Sequence, residues 1–219
     1  MITAIFTSCG RFNLLEKTMM SFFNYADLSI KQTIVIENSL DPNIEKHMEN
    51  ISISINRPFD LMINEENIGQ VSSIDRAYSF VNTEYIFHCE DDWEFFDTGF
   101  LSKSKMLLDD RSDIVNINLR VRFDGEKGSM HPITDIMTST SGIRYYEYEK
   151  NYLNAWHGFS WNPGLRRKKE YELIGSFKQH GEESAAGKFY KDNGYTSACL
   201  EKSYCKHIGT NSITPKSNK

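Results

Sequence analysis

The segment Tyr85-Ile86-Phe87-His88-Cys89-Glu90-Asp91-Asp92-Trp93 joins a run of apolar and aromatic residues to three consecutive acids. Such a run reads as a buried strand, and in open α/β sheets the ligand crevice lies outside the carboxyl ends of the strands. An acid cluster at that place is better positioned for chemistry than the same cluster on a helix. In an extended segment alternate side chains share a face, so Glu90 and Asp92 are expected to point together and Asp91 away. Carboxylates are hard ligands suited to Mg²⁺ or Mn²⁺, ions usually shared with phosphate oxygens. The competing reading is a solvated acidic turn, which a chain with 30 acidic residues can produce by chance. The apolar run before the triplet and Trp93 after it favour a site.

Working outward, short apolar runs alternate with amphipathic stretches, the pattern of a mostly parallel sheet with helices packed on it. Strands are predicted over residues 2–7, 33–37, 59–63, 84–89 and 113–118. Helices are predicted over 11–25, from Asp41-Pro42 onward, from the Asn67-Ile68-Gly69-Gln70 turn through Val81, and over 98–110. Residues 125–142 read as a long loop and hence as a functional excursion. Order returns over 143–148, then a turn at Asn162-Pro163-Gly164, helices over 168–174 and 182–192, and short strands over 195–200 and 203–207. This organisation implies one domain over 1–210, with a nucleotide-binding half to about 118, an acceptor-side half from about 119, and a polar tail over 211–219.

The 219 residues, 39% hydrophobic, suffice for one well-packed core. A formal net charge of -5 provides no global positive field for a polyanion, which disfavours nucleic acid as a partner. Cys9, Cys89, Cys199 and Cys205 have neither the density of a disulfide scaffold nor paired zinc-site spacing, and are expected to be reduced thiols of a cytoplasmic protein. No stretch approaches the length of a membrane span, so any membrane contact is expected to be peripheral.

The sequence Cys89-Glu90-Asp91-Asp92-Trp93 resembles the DXD-type motif of GT-A fold glycosyltransferases, in its Glu-Asp-Asp form. The order of the remaining segments is similar to family-two-like members over roughly residues 2–110. Phe6-Thr7-Ser8-Cys9-Gly10-Arg11 resembles the first-strand loop that touches the nucleotide. Ile36-Glu37-Asn38-Ser39 resembles the acid-then-Ser turn at the base or ribose, with Glu37 in place of the more usual Asp. Asn67-Ile68-Gly69, with Asp75 and Arg76 on the following helix, is similar to the segment beside the donor. The resemblance implies that Thr7, Ser8, Arg11, Glu37, Asn67, Asp75 and Arg76 lie near the donor. It further implies that Glu90 holds the ribose, Asp91 stands behind it and Asp92 binds Mn²⁺ or Mg²⁺.

In the second half, His180-Gly181-Glu182-Glu183 resembles the paired acids that open the acceptor-side helix of inverting members. Glu183 is the first candidate for general base and Glu182 the second, against the plain reading that both complement the positive end of a helix. His207 resembles a late His that completes the metal or diphosphate site. Trp161, in Trp156-His157-Gly158-Phe159-Ser160-Trp161, is expected to line the sugar pocket and Trp156 to join the core. Arg166-Arg167-Lys168-Lys169 offers positive charge to a phosphate, or is simply a solvated helix start.

Together these features point to a metal-dependent transferase moving a hexosyl or pentosyl group from a nucleoside diphosphate sugar, with a UDP-sugar as leading donor, to an acceptor hydroxyl with inversion. A glycan or lipid-linked acceptor is favoured over hydroxylated bases of phage DNA. From other classes, a sugar nucleotidyltransferase would open with a Gly-rich phosphate loop, of which Thr7-Ser8-Cys9-Gly10-Arg11 is a poor version. A non-catalytic nucleotide-sugar-binding domain would bind metal and nucleotide without releasing diphosphate.

Overall fold

The computed structural model describes residues 1–121, 133–150, 156 and 158–209. Its chain begins with strand β1 (Ile2–Ser8), helix α1 (Phe12–Tyr25), β2 (Ile30–Glu37), α2 (Ile44–Ile55), β3 (Asp60–Ile63), α3 (Gln70–Ser79) and β4 (Tyr85–Glu90). These four strands are mutually parallel, in the spatial order β3-β2-β1-β4. Then come β5 (Trp93–Phe95), α4 (Phe100–Asp110), β6 (Ile114–Asn118), β7 (Met137–Thr138) and β8 (Arg144–Glu147). The chain continues with β9 (Gly164–Arg167), α5 (Lys168–Ile174), a 3₁₀ turn (Phe177–Gln179), α6 (Glu183–Asp192), β10 (Thr196–Leu200) and β11 (Cys205–His207).

The nine-stranded sheet has the order β3-β2-β1-β4-β9-β6-β10-β8-β7, and β5 pairs with β11 in a small separate ribbon. This is the α/β, mostly parallel architecture expected from the sequence. Its central strands are apolar on both faces because helices cover both. On one face Phe6 and Phe87 meet the apolar stripe of α1, where Phe22 stacks on Phe87 at 4.7 Å and meets Phe6, Phe95 and Phe100 edgewise or tilted at 5.3 to 5.9 Å. On the other, Ile5, Ile36 and Ile86 pack with Ile74 and Tyr78 of α3 and with an aromatic group around Phe159 and Phe177. The left-handed Asn56 (φ 50°) ends α2, as a residue tolerant of that conformation can.

Three features depart from expectation. Residues 125–142 are not wholly loop: Met137 and Thr138 pair with Tyr145 and Arg144 at the sheet edge, while residues 122–132 lie outside the described residues. Trp93–Phe95 forms a strand directly after the acids.

The third departure is larger, because Gly164–Arg167 is not a helix start but an antiparallel strand between β4 and β6. A Cβ on Gly164 would lie 2.4 Å from the Ile117 carbonyl oxygen, so only glycine permits that approach.

Arg166 and Arg167 are accordingly buried, not solvated, at 2% and 5% exposure. Arg167 donates to the carbonyls of Leu108, Ser112 (3.1 Å) and Ile114 (2.6 Å), and its Nε meets Glu170 Oε1 at 2.7 Å. Arg166 donates to the Ser160 carbonyl at 3.0 Å and lies 5.4 Å from the Phe159 ring centre. Both guanidinium groups are enclosed in the protein interior.

Arg167 therefore joins β9, α4 and β6 through one buried cation, and its removal strands Glu170 and several carbonyls. Arg167→Met is expected to lower unfolding free energy by about 3–5 kcal/mol in urea titration, with Arg167→Met/Glu170→Met recovering part of the loss.

Candidate active site

The carboxyl ends of β1, β2 and β4 lie level with one another. Thr7 is opposite both Ile36 and Glu90, and Ser8 is opposite Glu37. The loops after these strands are tied together by Glu37, which is fully buried. Its Oε1 accepts the backbone N–H groups of Gly10 (2.9 Å), Asn38 (3.0 Å) and Ser39 (2.8 Å). Glu37 thus acts as a clamp on two loops, where the sequence suggested a contact with base or ribose. Gly10, at φ 72°, supplies the left-handed turn that lets the chain swing from β1 into α1.

Arg11 sits at the beginning of α1 and reaches the acids. Its Nε donates to Asp91 Oδ2 at 3.1 Å, its Nη2 to Asp91 Oδ1, and its Nη1 to Asp92 Oδ2 at 2.6 Å. The expected pairing of Glu90 with Asp92 is not what forms. The chain bends at Asp91 and Asp92, which ends the strand alternation, so those two converge on Arg11. Glu90, the last residue of β4, turns to α3, where Gln70 Nε2 donates to it at 2.8 Å. Burial, aided by Asp92, pushes the Glu90 carboxyl up to about 7. Burial also pushes Asp91 up to about 6, against the opposing pull of Arg11. The turn is held from below by Thr18, whose hydroxyl donates to the Asp91 carbonyl at 2.9 Å and accepts the Trp93 N–H at 3.0 Å.

Pairing of β11 with β5 sets His207 opposite Trp93. His207 Nε2 then lies 3.1 Å from Asp92 Oδ2, and the Ile208 N–H donates to the Asp92 carbonyl at 2.8 Å. Gly209 comes so close that a Cβ there would stand 2.3 Å from Asp92 Oδ2. The other oxygen, Asp92 Oδ1, is buried without a hydrogen-bond partner. One carboxylate and one imidazole meeting at a point, with an oxygen left unpaired, fit an ion that phosphate oxygens would help to hold. Among the described residues no group of three or more His, Cys, Asp or Glu forms an all-protein cage.

Other candidates have different placements. Asn67 accepts from Asn38 Nδ2 at 2.7 Å and from the Gly69 N–H at 3.1 Å, at the edge of a polar group in which Asn64 Nδ2 donates to Asn38 Oδ1 (2.8 Å) and Ser73 Oγ (2.9 Å). Asp75 is engaged elsewhere. Its two oxygens accept from Tyr171 Oη, Ser176 Oγ and the N–H groups of Phe177 and Lys178, all within 3.1 Å, so it anchors the 3₁₀ turn instead of facing a donor. Arg76 is exposed and bonds to the Ile63 carbonyl at 2.9 Å and to Asn64, bracing the end of β3.

Trp161 is buried like Trp156, at 6% and 5% exposure, and packs edgewise on Phe177 at 5.8 Å. It therefore belongs to the aromatic core more than to an open pocket wall. Glu183 is half-buried and its Oε2 accepts the Trp161 N–H at 2.8 Å. Glu182 is exposed at the N-cap of α6, where its carbonyl accepts from Ala185 and Ala186. His157 lies outside the described residues.

Sequence reasoning missed Gln70, Thr18 and Gly209. Thr18 carried a faint signal, as a hydroxyl on the otherwise apolar stripe of α1. The partnership of Gln70 with Glu90 had no signal at all, since 20 residues separate them.

No family model matches the chain, and no curated protein matches it in sequence. Solved structures match it in shape. The mannosyltransferase PcManGT from Pyrobaculum calidifontis, in complex with GDP-Man and Mn²⁺, aligns with a TM-score of 0.67 at 11% identity, over 97% of this chain and 58% of that one. TarS from S. aureus aligns with a TM-score of 0.63 at 12% identity, over 95% of this chain and 36% of that one. TarS 1-349 in complex with UDP gives 0.62 at 12% identity, over 93% and 59%. This chain spans less than two thirds of the length of each of these. At such identities the likeness is one of architecture: the chain has the α/β fold of a mannosyltransferase and of TarS, a mostly parallel sheet flanked by helices.

Proposed function

We propose that the chain transfers a sugar from a nucleoside diphosphate sugar to an acceptor hydroxyl, with Asp92 and His207 holding a divalent cation. The observation that carries this reading is their convergence at the carboxyl end of β4, level with the loops after β1 and β2. The mannosyltransferase neighbour, with GDP-Man and Mn²⁺, and TarS with UDP support a nucleotide-sugar donor on this fold. A UDP-sugar and a glycan or lipid-linked precursor are our first choices of donor and acceptor. The net charge of -5 weighs against a DNA acceptor.

In this reading the Thr7-Ser8 loop and the Asn67 segment flank the nucleotide. Glu90, steered by Gln70, faces the ribose, and Asp91, whose carbonyl accepts from the Thr18 hydroxyl, supports the turn. The bound cation supplies neutralisation of the charge that develops on the departing diphosphate. Glu183, oriented by the Trp161 N–H, takes the proton of the acceptor hydroxyl as its oxygen bonds to the anomeric carbon. Attack from the side opposite the leaving diphosphate inverts that carbon. Glu182 is the second choice of base.

Two outcomes follow. With saturating UDP and Mn²⁺ the melting temperature rises by roughly 5–10 °C, and Asp92→Asn loses the Mn²⁺-dependent part of that rise in a thermal-shift titration. An unchanged rise in Asp92→Asn removes Asp92 from the site. Glu183→Gln, which keeps an acceptor oxygen for Trp161, retains the rise but lowers turnover of a nucleotide sugar, read as nucleotide release, by about 10²–10⁴-fold. Full turnover in this variant transfers the role to another group.

A further inference from the structure

The position of Arg11 bears on how metal and donor enter. Its guanidinium spends two nitrogens on Asp91 and brings the third, Nη1, to 2.6 Å from Asp92 Oδ2. That oxygen is also the one that His207 Nε2 meets at 3.1 Å. A cation bound between Asp92 and His207 would thus share its carboxylate oxygen with a fixed positive charge. The Asp91 and Asp92 side chains are 2% and 6% exposed, so little water separates the charges, and like-charge repulsion at that distance is strong.

Arg11 is less confined than its partners. Its side chain is 22% exposed, and it follows Gly10, whose left-handed turn ends β1. A planar guanidinium is also well matched to phosphate oxygens.

We propose that Arg11 is a resident cation of the acidic turn, displaced from Asp92 by the divalent ion and drawn off by the donor's diphosphate, so that metal and donor bind as a coupled pair. This rests on the transferase reading above. Free protein then resists metal alone, because the ion has to unseat Arg11 from Asp92. Diphosphate offers the guanidinium another partner and relieves that competition. By linkage, metal tightens the diphosphate by the same factor.

The test is calorimetric titration of Mn²⁺ into the full chain, alone and with saturating UDP, for wild type, Arg11→Gln and Arg11→Lys. Arg11→Gln is expected to bind Mn²⁺ alone about tenfold more tightly than wild type, since a charged hydrogen bond no longer has to be broken. The factor by which UDP tightens Mn²⁺ is expected to shrink correspondingly. Arg11→Lys keeps a charge but cannot span both carboxylates, so its coupling falls between the other two. It carries the test alone if Arg11→Gln does not fold, because coupling equal to wild type in Arg11→Lys then overturns the proposal.

A change of equal size with and without UDP overturns it too, since that is the mark of a general field and not of displacement. So does unaltered or weaker binding of Mn²⁺ alone in Arg11→Gln. If wild type binds no Mn²⁺ even with UDP, the metal-dependent transferase reading falls together with this inference. Binding with unaltered coupling removes only the inference.

Discussion

Two adjacent carboxylates, Asp91 and Asp92, are buried to 1% and 4% exposure at the end of a central strand, and such a pair is tolerable only beside positive charge. Much of the local architecture serves that requirement. Gly10 turns the chain so that α1 begins with Arg11 at the acids, and Glu37 fixes the turn by holding the Gly10 N–H. Thr18, two helical turns further on, grips the backbone on either side of Asp92. The short β5–β11 ribbon brings His207 to the same carboxylate from the far end of the described chain. Arg11 from the start of α1 and His207 from β11 thus converge on a single oxygen, Asp92 Oδ2.

The aromatic core beneath this turn gives it rigidity. Phe22 contacts rings from β1, β4, β5 and α4, so the strand that ends in Glu90 and the strand that begins at Trp93 rest on one platform. Trp93 is itself flanked by the His207 ring at 5.2 Å and the Arg120 guanidinium at 5.8 Å. Packing of this density passes small shifts in the ribbon to the acids, which suits a site whose polar groups have to meet within hydrogen-bond range.

Legibility in the sequence followed the range of the interactions. Strand-helix alternation through residue 118 is a local signal, and apart from the short strand Trp93–Phe95 the elements of that region lie where periodicity puts them, within a few residues. The acids at the end of β4 were legible for the same reason. What escaped were tertiary substitutions of role. Glu37 and Asp75 are acids in the expected segments, yet Glu37 Oε1 is taken up by backbone N–H groups and both Asp75 oxygens by hydroxyls and N–H groups, and no local pattern distinguishes such a clamp from a ligand contact. Trp161 was misread because a Trp beside a turn looks alike whether it faces a pocket or a core. Arg166 and Arg167 hid β9 entirely, since charge in sequence signals solvent unless the carbonyls that will receive it are already known. The alternation argument for Glu90 and Asp92 failed on a bend that begins one residue after the strand.

The placement of β9 also makes the middle of the sheet dependent on a later part of the chain. Residues 1–118 supply β4 and β6, yet these strands do not touch; the gap between them is filled only by a four-residue strip arriving from position 164. Until that strip docks, two inward-facing strand edges carry unpaired amides and carbonyls, and Arg167 has not yet reached the carbonyls of α4 and β6. Closing the sheet thus requires β9 to return across more than forty residues of chain that include β7 and β8. A chain ending at β6 would hold both strands without the strip that joins them, so the integrity of this sheet rests on a four-residue strand supplied by the second half of the sequence.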